Sequence, residues 1–179
     1  RMGGAESPTG YVNPGDARKT YFSDIGGYRL AGGFGDGVTG FSTGLFPNES
    51  YAYYANSEMT WDPRCWNIVY MGNENKLWKS LDGGTSYSVL HSFPGTVDNT
   101  VYDIEVSRSN PDVIYCSQWD GTDDALWKSI NGGQTWTQLT KLPLPNNNDR
   151  VKIALSAESE NVLWVAVTYG SNGKKIYKS

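Results

Sequence analysis

Asp24 is the carboxylate of this 179-residue chain with the most pointed surroundings, lying in the run Tyr21-Phe22-Ser23-Asp24-Ile25-Gly26-Gly27-Tyr28-Arg29. A carboxylate carried on a loop of a rigid scaffold can give or take a proton at a reacting bond. The same Ser-Asp-Ile-Gly-Gly is also turn chemistry, in which an Asp before a glycine pair bonds its own backbone. Both readings stand on the residues alone. Trp119 is the second candidate. It occupies a long loop with no counterpart in neighbouring segments, and its indole offers an apolar face on which a sugar ring can stack; packing over a sheet edge is the other reading. Asp123 and Asp124 read as a solvated loop, because isolated carboxylates without further oxygen ligands make poor calcium sites. Cys65 and Cys116 are not in CxxC spacing and His91 is the single histidine, so neither a zinc site nor any other metal or cofactor is expected. One disulfide between the two cysteines is open.

The scaffold for these residues is an internal repeat. An aromatic residue followed by a cation recurs at intervals of 49 or 50 residues, as Tyr28-Arg29, Trp78-Lys79, Trp127-Lys128 and Tyr177-Lys178. Upstream columns recur as well. Asn13-Pro14 leads to Tyr21, Asp62-Pro63 to Tyr70, Asn110-Pro111 to Tyr115, and Glu160-Asn161 to Trp164. Each unit reads as strand, polar turn, β-rich strand, variable loop and aromatic–cation strand, and no stretch shows helical periodicity. Such a period of short strands points to propeller blades. Alternation at Tyr102, Ile104, Val106 and at Val151, Ile153, Leu155 places one apolar face inward on the first strands. The expected fold is all-β: a β-propeller of four-stranded antiparallel blades, with units at residues 1–50, 51–98, 99–147 and 148–179. Propellers close with about four to eight blades. About 3.5 are expected here, so an incomplete portion of a longer propeller is anticipated, with the rest of that propeller as one partner.

Two units continue past the cation into a further motif. Ser80-Leu81-Asp82-Gly83-Gly84-Thr85-Ser86-Tyr87 and Ser129-Ile130-Asn131-Gly132-Gly133-Gln134-Thr135-Trp136 resemble the Asp-box, SxDxGxTW. In it the Asx side chain accepts bonds from nearby N–H groups, glycine supplies positive φ, and the closing aromatic packs into the blade. Ser80, Asp82, Gly84, Tyr87 and Ser129, Asn131, Gly133, Trp136 are therefore assigned structural roles. Asn131 keeps the turn chemistry without the charge, which a catalytic or metal role would not tolerate.

With 21 Gly, 7 Trp and 12 Tyr, the composition suits a turn-rich, aromatic-rich exported β protein, and a secreted or cell-surface location is expected. No apolar run is long enough to span a membrane. A net charge of -4 with dispersed lysines argues against nucleic acid as a partner. Asn48-Glu49-Ser50 fits the N-glycosylation sequon, making Asn48 a candidate in a eukaryotic secretory protein.

The opening residues carry a family resemblance. Gly3-Gly4, Thr9-Gly10, Pro14 and the run from Tyr21 to Arg29 resemble the start of glycoside hydrolase family 74, the xyloglucan-active endoglucanases. The resemblance implies an inverting, two-propeller glycosidase in which Asp24 is one of two catalytic carboxylates; Tyr28 and Arg29 beside it, and independently the unrepeated Trp119, are the candidate substrate-binding residues. The second carboxylate would come from chain outside these residues, so this portion alone is expected to be inactive. One residue is missing between Gly27 and Tyr28 relative to the family pattern. Beyond the first 30 or so residues only the generic Asp-box pattern matches, shared with sortilin-type receptors, sialidases and photosystem assembly factors. A sialidase is disfavoured because Tyr28-Arg29-Leu30-Ala31 lacks its Arg-Ile-Pro. The alternative is a non-catalytic secreted propeller that binds glycan or protein subunits.

Overall fold

The computed structural model describes residues 10–24, 27–31, 59–95, 100–119, 123–141, 144, 151–168 and 174–179; for 10, 18, 20–24, 27–31, 100 and 168 the description is of the backbone. Asn48 and residues 120–122 lie outside it. Every regular element among the described residues is a strand. None is a helix long and apolar enough to cross a membrane.

The strands form four antiparallel sheets in chain order. The first contains β1 (Gly10–Asn13), β2 (Asp16–Asp24) and β3 (Gly27–Ala31). The second contains β4 (Thr60–Asp62), β5 (Cys65–Asn73), β6 (Lys76–Ser80) and β7 (Ser88–Ser92). The third contains β8 (Thr100–Val106), β9 (Ile114–Trp119), β10 (Asp124–Ser129) and β11 (Thr137–Gln138). The fourth contains β12 (Val151–Leu155), β13 (Leu163–Thr168) and β14 (Lys174–Lys178). Each strand pairs with its sequence neighbour, so the repeat read from the sequence becomes one meander per unit.

Asx turns join the first two strands of each of the first three sheets. Asn13 Oδ1 accepts the Gly15 and Asp16 N–H groups at 2.9 and 3.2 Å, and Asp62 Oδ1 accepts the Arg64 N–H at 2.9 Å. The third, at Asn110, is closed mainly by the Val113 N–H donating to the Asn110 carbonyl at 2.8 Å. The cation of the repeated pair also has a defined role: Lys79, Lys128 and Lys178 stand over the rings of Tyr70, Tyr115 and Trp164 at 5.2, 5.3 and 5.5 Å. Those aromatics are their cross-strand partners. Arg29 is paired with Phe22, so Phe22 rather than Tyr21 occupies this column in the first sheet. The sequence spacing pointed to Tyr21, but β-strand pairing rather than distance from the proline sets the column.

The core lies between sheets. Tyr70, Leu77, Phe93, Val101, Ile104, Val106, Ile114 and Cys116 fill the seam between the second and third. Val113, Tyr115, Leu126, Val151, Ile153, Leu163, Val165 and Val167 fill the seam between the third and fourth. Alternate residues at the start of β9, Ile114 and Cys116 against Tyr115, feed opposite seams, and the strand is buried from Ile114 to Gln118. A bulge between Val101 and Asp103 changes the expected face of β8: Val101 joins Ile104 and Val106 in the seam and Tyr102 is only half-buried. Gly72 permits the close approach of the two sheets, since a Cβ there would lie 2.6 Å from the Val101 side chain.

Polar bonds tie consecutive sheets. Asn13 Nδ2 donates to the Trp66 carbonyl at 2.8 Å, Ser117 Oγ to the Val151 carbonyl at 2.7 Å, and Tyr115 Oη to the Glu160 carbonyl at 2.8 Å. A further tie is ionic. Arg64 grips the fully buried Asp62 with Nε at 3.0 Å and Nη2 at 2.7 Å, and its Nη1 reaches Asp112 of the third unit at 2.8 Å. Burial alone raises the Asp62 carboxyl, but bonds from the Arg64 side chain and backbone, with the charges of Arg64 and Lys79, bring it below the ordinary carboxylate range. The Tyr70 phenol is pushed up, by burial first and by the Asp62 charge second. Cys65 is exposed and Cys116 buried, and both are free thiols.

Candidate functional site

The candidate site is built on the hairpins joining the second and third strands of each sheet, which end at Asp24 opposite Gly27, Asn73 opposite Lys76, Trp119 opposite Asp124 and Thr168 opposite Lys174. These tips differ in reach. Counted from the cross-strand pair that contains the cation, the first hairpin closes two pairs on, the second three and the third four. Asp24 thus closes the ladder as its last paired residue, where the repeat predicted a loop. In register its counterparts are Gly72, Ser117 and Ala166. Tyr28 and Arg29 lie in β3 opposite Ser23 and Phe22.

Trp119 likewise ends a strand instead of sitting in the expected loop. It is half-buried, and its indole N–H is buried with no hydrogen-bond partner among the described residues. Its neighbour Gln118 anchors this end of β9, with Nε2 donating to the Pro94 carbonyl at 2.7 Å and Oε1 accepting the Trp127 indole N–H at 3.0 Å. Trp119 and Asp24 belong to hairpins of the third and first sheets, with the second sheet between them in chain order.

Two buried carboxylates at these tips escaped sequence reasoning. Asp124, expected in a solvated loop, is the first residue of β10 and is buried because the ladder continues to the Trp119 pair; Asp123 beside it is exposed. Glu74, at the tip of the second hairpin, is 1% exposed and has φ 53°, a left-handed conformation uncommon outside glycine and asparagine. Its carbonyl accepts the Val101 N–H at 2.9 Å, which binds the tip to the third sheet. The sequence signal was a two-residue turn, Glu74-Asn75, with no glycine to take the positive φ. No group of three or more His, Cys, Asp and Glu among the described residues is placed to hold a metal.

The turns after the third strands are built differently, and their side chains are occupied. Asp82 Oδ1 accepts the Thr85 and Ser86 N–H groups at 3.0 and 2.9 Å and Oδ2 accepts Ser86 Oγ–H at 2.6 Å. Ser80 Oγ accepts the Gly84 N–H at 2.8 Å and donates to Asp82 at 2.7 Å. Ser129, Asn131 and Gly133 repeat this geometry, Asn131 Oδ1 accepting the Thr135 N–H at 2.9 Å. The glycines that follow take φ between 69° and 89°. Tyr87 packs against the first-to-second-sheet cluster, and the Trp136 indole N–H donates to the Gly133 carbonyl at 2.9 Å. Burial raises the Asp82 carboxyl, but the bonds from Ser86, Ser80 and Thr85 outweigh it and hold its pKa at about 2. Its stabilising contribution is therefore complete above its ordinary pKa of 3.8 and lost as pH falls toward 2. Asp82→Asn should keep the turn, as Asn131 does, and shift part of the acid-unfolding profile. Asp82→Ala should destabilise at neutral pH by roughly 1 kcal/mol, the scale of a lost side-chain cap. Chemical unfolding of both variants at pH 7 and pH 3 checks this.

No protein-family model matches the sequence, and no curated protein matches it. Solved structures match its fold. An ancestral GH74 enzyme superposes with a TM-score of 0.69 at 17% identity, over 96% of this chain and 24% of that one. A GH74 xyloglucanase from Xanthomonas campestris gives 0.62 at 17% identity, over 94% of this chain and 27% of that one. An auxiliary nutrient binding protein from Bacteroides thetaiotaomicron gives 0.59 at 11% identity, over 94% of this chain and 40% of that one. At these identities the likeness establishes the fold, a portion of a β-propeller of antiparallel blades like those of the GH74 enzymes. The chain spans about a quarter of those enzymes' length.

Proposed function

We propose that this chain is part of a secreted, polysaccharide-cleaving propeller protein in which Asp24 is one of two catalytic carboxylates acting on xyloglucan or a related β-glucan. The observation that supports it is the run from Tyr21 to Arg29, whose aspartate closes the β2–β3 hairpin on a propeller framework similar to that of GH74 enzymes. In an inverting reaction one carboxylic acid protonates the leaving oxygen while a carboxylate activates water on the opposite face of the sugar, the two about 6.5–9.5 Å apart to admit that water. Asp24 supplies one of these groups, and the other comes from a second propeller. Trp119, with Tyr28 and Arg29, contributes to the sugar-binding surface, and the turns at residues 80–87 and 129–136 are Asp-boxes that brace the blades.

The generic repeat pattern beyond the opening residues favours a second reading, a non-catalytic propeller that binds glycan or a protein subunit. One experiment separates them. In the complete protein carrying this chain, Asp24→Asn is expected to abolish release of oligosaccharides from xyloglucan while binding of the polymer persists. Undiminished hydrolysis by the variant removes Asp24 from the mechanism. Binding without hydrolysis by the unaltered protein supports the second reading.

A further inference from the structure

His91 lies where the outer edge of the second sheet meets the third. It pairs with Leu77, and a bulge displaces the register so that Trp78 pairs with Val89, skipping Leu90. Without the bulge, alternation would put His91 on the side of Val89, which is exposed; with it, His91 shares the face of Leu77, a fully buried residue of the seam. The imidazole there meets the rings of Phe93, edge-on at 4.8 Å, and Trp136, at 5.9 Å, and Phe93 packs on Trp127 and Trp136 at 5.4 and 5.2 Å.

We propose that His91 is a proton-sensitive latch in this seam, so that protonating its imidazole loosens the packing of the second sheet on the third. An imidazolium packed among these rings loses hydration, and among the described residues no acidic side chain is bonded to it in replacement. On β6 the charged residues are Lys76 and Lys79, whose ammonium groups stand over Trp78 and Tyr70. β7 itself has no other titratable residue, and the turn at residues 131–136 brings none. On β10, Lys128 is drawn to Tyr115 and to Asn161, and Asp124 is buried at the far end against Trp119. Burial is the sole cause acting on the His91 pKa, and it lowers it from 6.5. With the folded value below the unfolded one, the seam is intact above pH 6.5 and weakens as pH falls from there to the folded midpoint.

The latch reaches the hairpin tips. Phe93 exchanges backbone and side-chain bonds with Asn75, its N–H donating to the Asn75 carbonyl at 2.8 Å and its carbonyl accepting Asn75 Nδ2 at 2.9 Å. The next carbonyl, of Pro94, holds Gln118 beside Trp119. The seam responds to protons irrespective of what those tips bind.

As the one histidine among the 179 residues, His91 can be followed directly. An NMR titration of its imidazole in the full chain is expected to give a midpoint below 6.5. Hydrogen-exchange protection of the Trp136 indole N–H and the Phe93 amide, corrected for intrinsic exchange, should fall by up to about tenfold per pH unit between 6.5 and that midpoint, the slope of one proton. His91→Gln, or His91→Phe if the first folds poorly, should make that protection independent of pH over the same range. A midpoint at or above 6.5, or the same loss of protection in the variants, would overturn the latch.

Discussion

Arg64→Met is expected to destabilise the fold by about 3–5 kcal/mol at neutral pH, the scale of stranding one member of a buried ion pair. The arginine itself is half-exposed, with its side chain at 48%, so the cost does not come from its own burial. It comes from Asp62, whose side chain is 0% exposed and would keep the backbone bond from residue 64 and the neighbouring Tyr70 hydroxyl and Lys79 charge but lose both guanidinium bonds. Losing Arg64 also frees Asp112 from the second unit, though that carboxylate is 56% exposed and is readily hydrated. The sign of the pH dependence follows. Without Arg64 the Asp62 pKa rises, so the variant should lose less stability relative to the parent at pH 4 than at pH 7, where the stranded charge cannot be neutralised. The double variant Arg64→Met, Asp62→Asn should recover much of the loss, because Asn13 and Asn110 hold the corresponding turns without a charge. Urea unfolding of the three proteins at the two pH values tests it; equal losses at both pH values would mean the ion pair is not the source.

Leu126→Ala should cost about 2–5 kcal/mol, the range for emptying a fully packed leucine site. Leu126 is 0% exposed at the heart of the seam between the third and fourth sheets, against Val151, Val165 and Val167. These β-branched neighbours are stiff and held on two paired strands, β12 and β13, so the cavity should collapse poorly and the cost should fall in the upper part of the range. Ile176→Ala is the comparison, since Ile176 is 74% exposed and its truncation should change stability by less than about 0.5 kcal/mol. Denaturant midpoints of the two variants check the difference; similar shifts would mean that the third and fourth sheets are not packed through Leu126.

The turns after the third strands were legible because their chemistry is local. Ser-x-Asx-Gly-Gly sets its own turn through bonds between residues four or fewer apart, and both copies adopt it. The equivalence of Asp82 and Asn131 was visible in the sequence for the same reason. The hairpin tips were less legible. Trp119 and Asp124 read as loop residues because the length of a β-ladder depends on continued pairing between strands, which polar residue types do not rule out. At Glu74 the sequence showed only a two-residue turn and not its burial, which accompanies the Val101 N–H that binds its carbonyl across the sheet boundary.

The sequence by itself determined the repeat, the all-β architecture and the turn chemistry, since each depends on spacing along the chain and on bonds between near neighbours. Only the tertiary structure decided which residues face which seam. A bulge at Tyr102 brings Val101 inward, another at Leu90 turns His91 toward Trp136, and pairing opposite Arg29 selects Phe22 over Tyr21. The physical reason is that side chains alternate with a period of two: one displaced residue reverses every assignment beyond it, and the displacement is set by the partner strand.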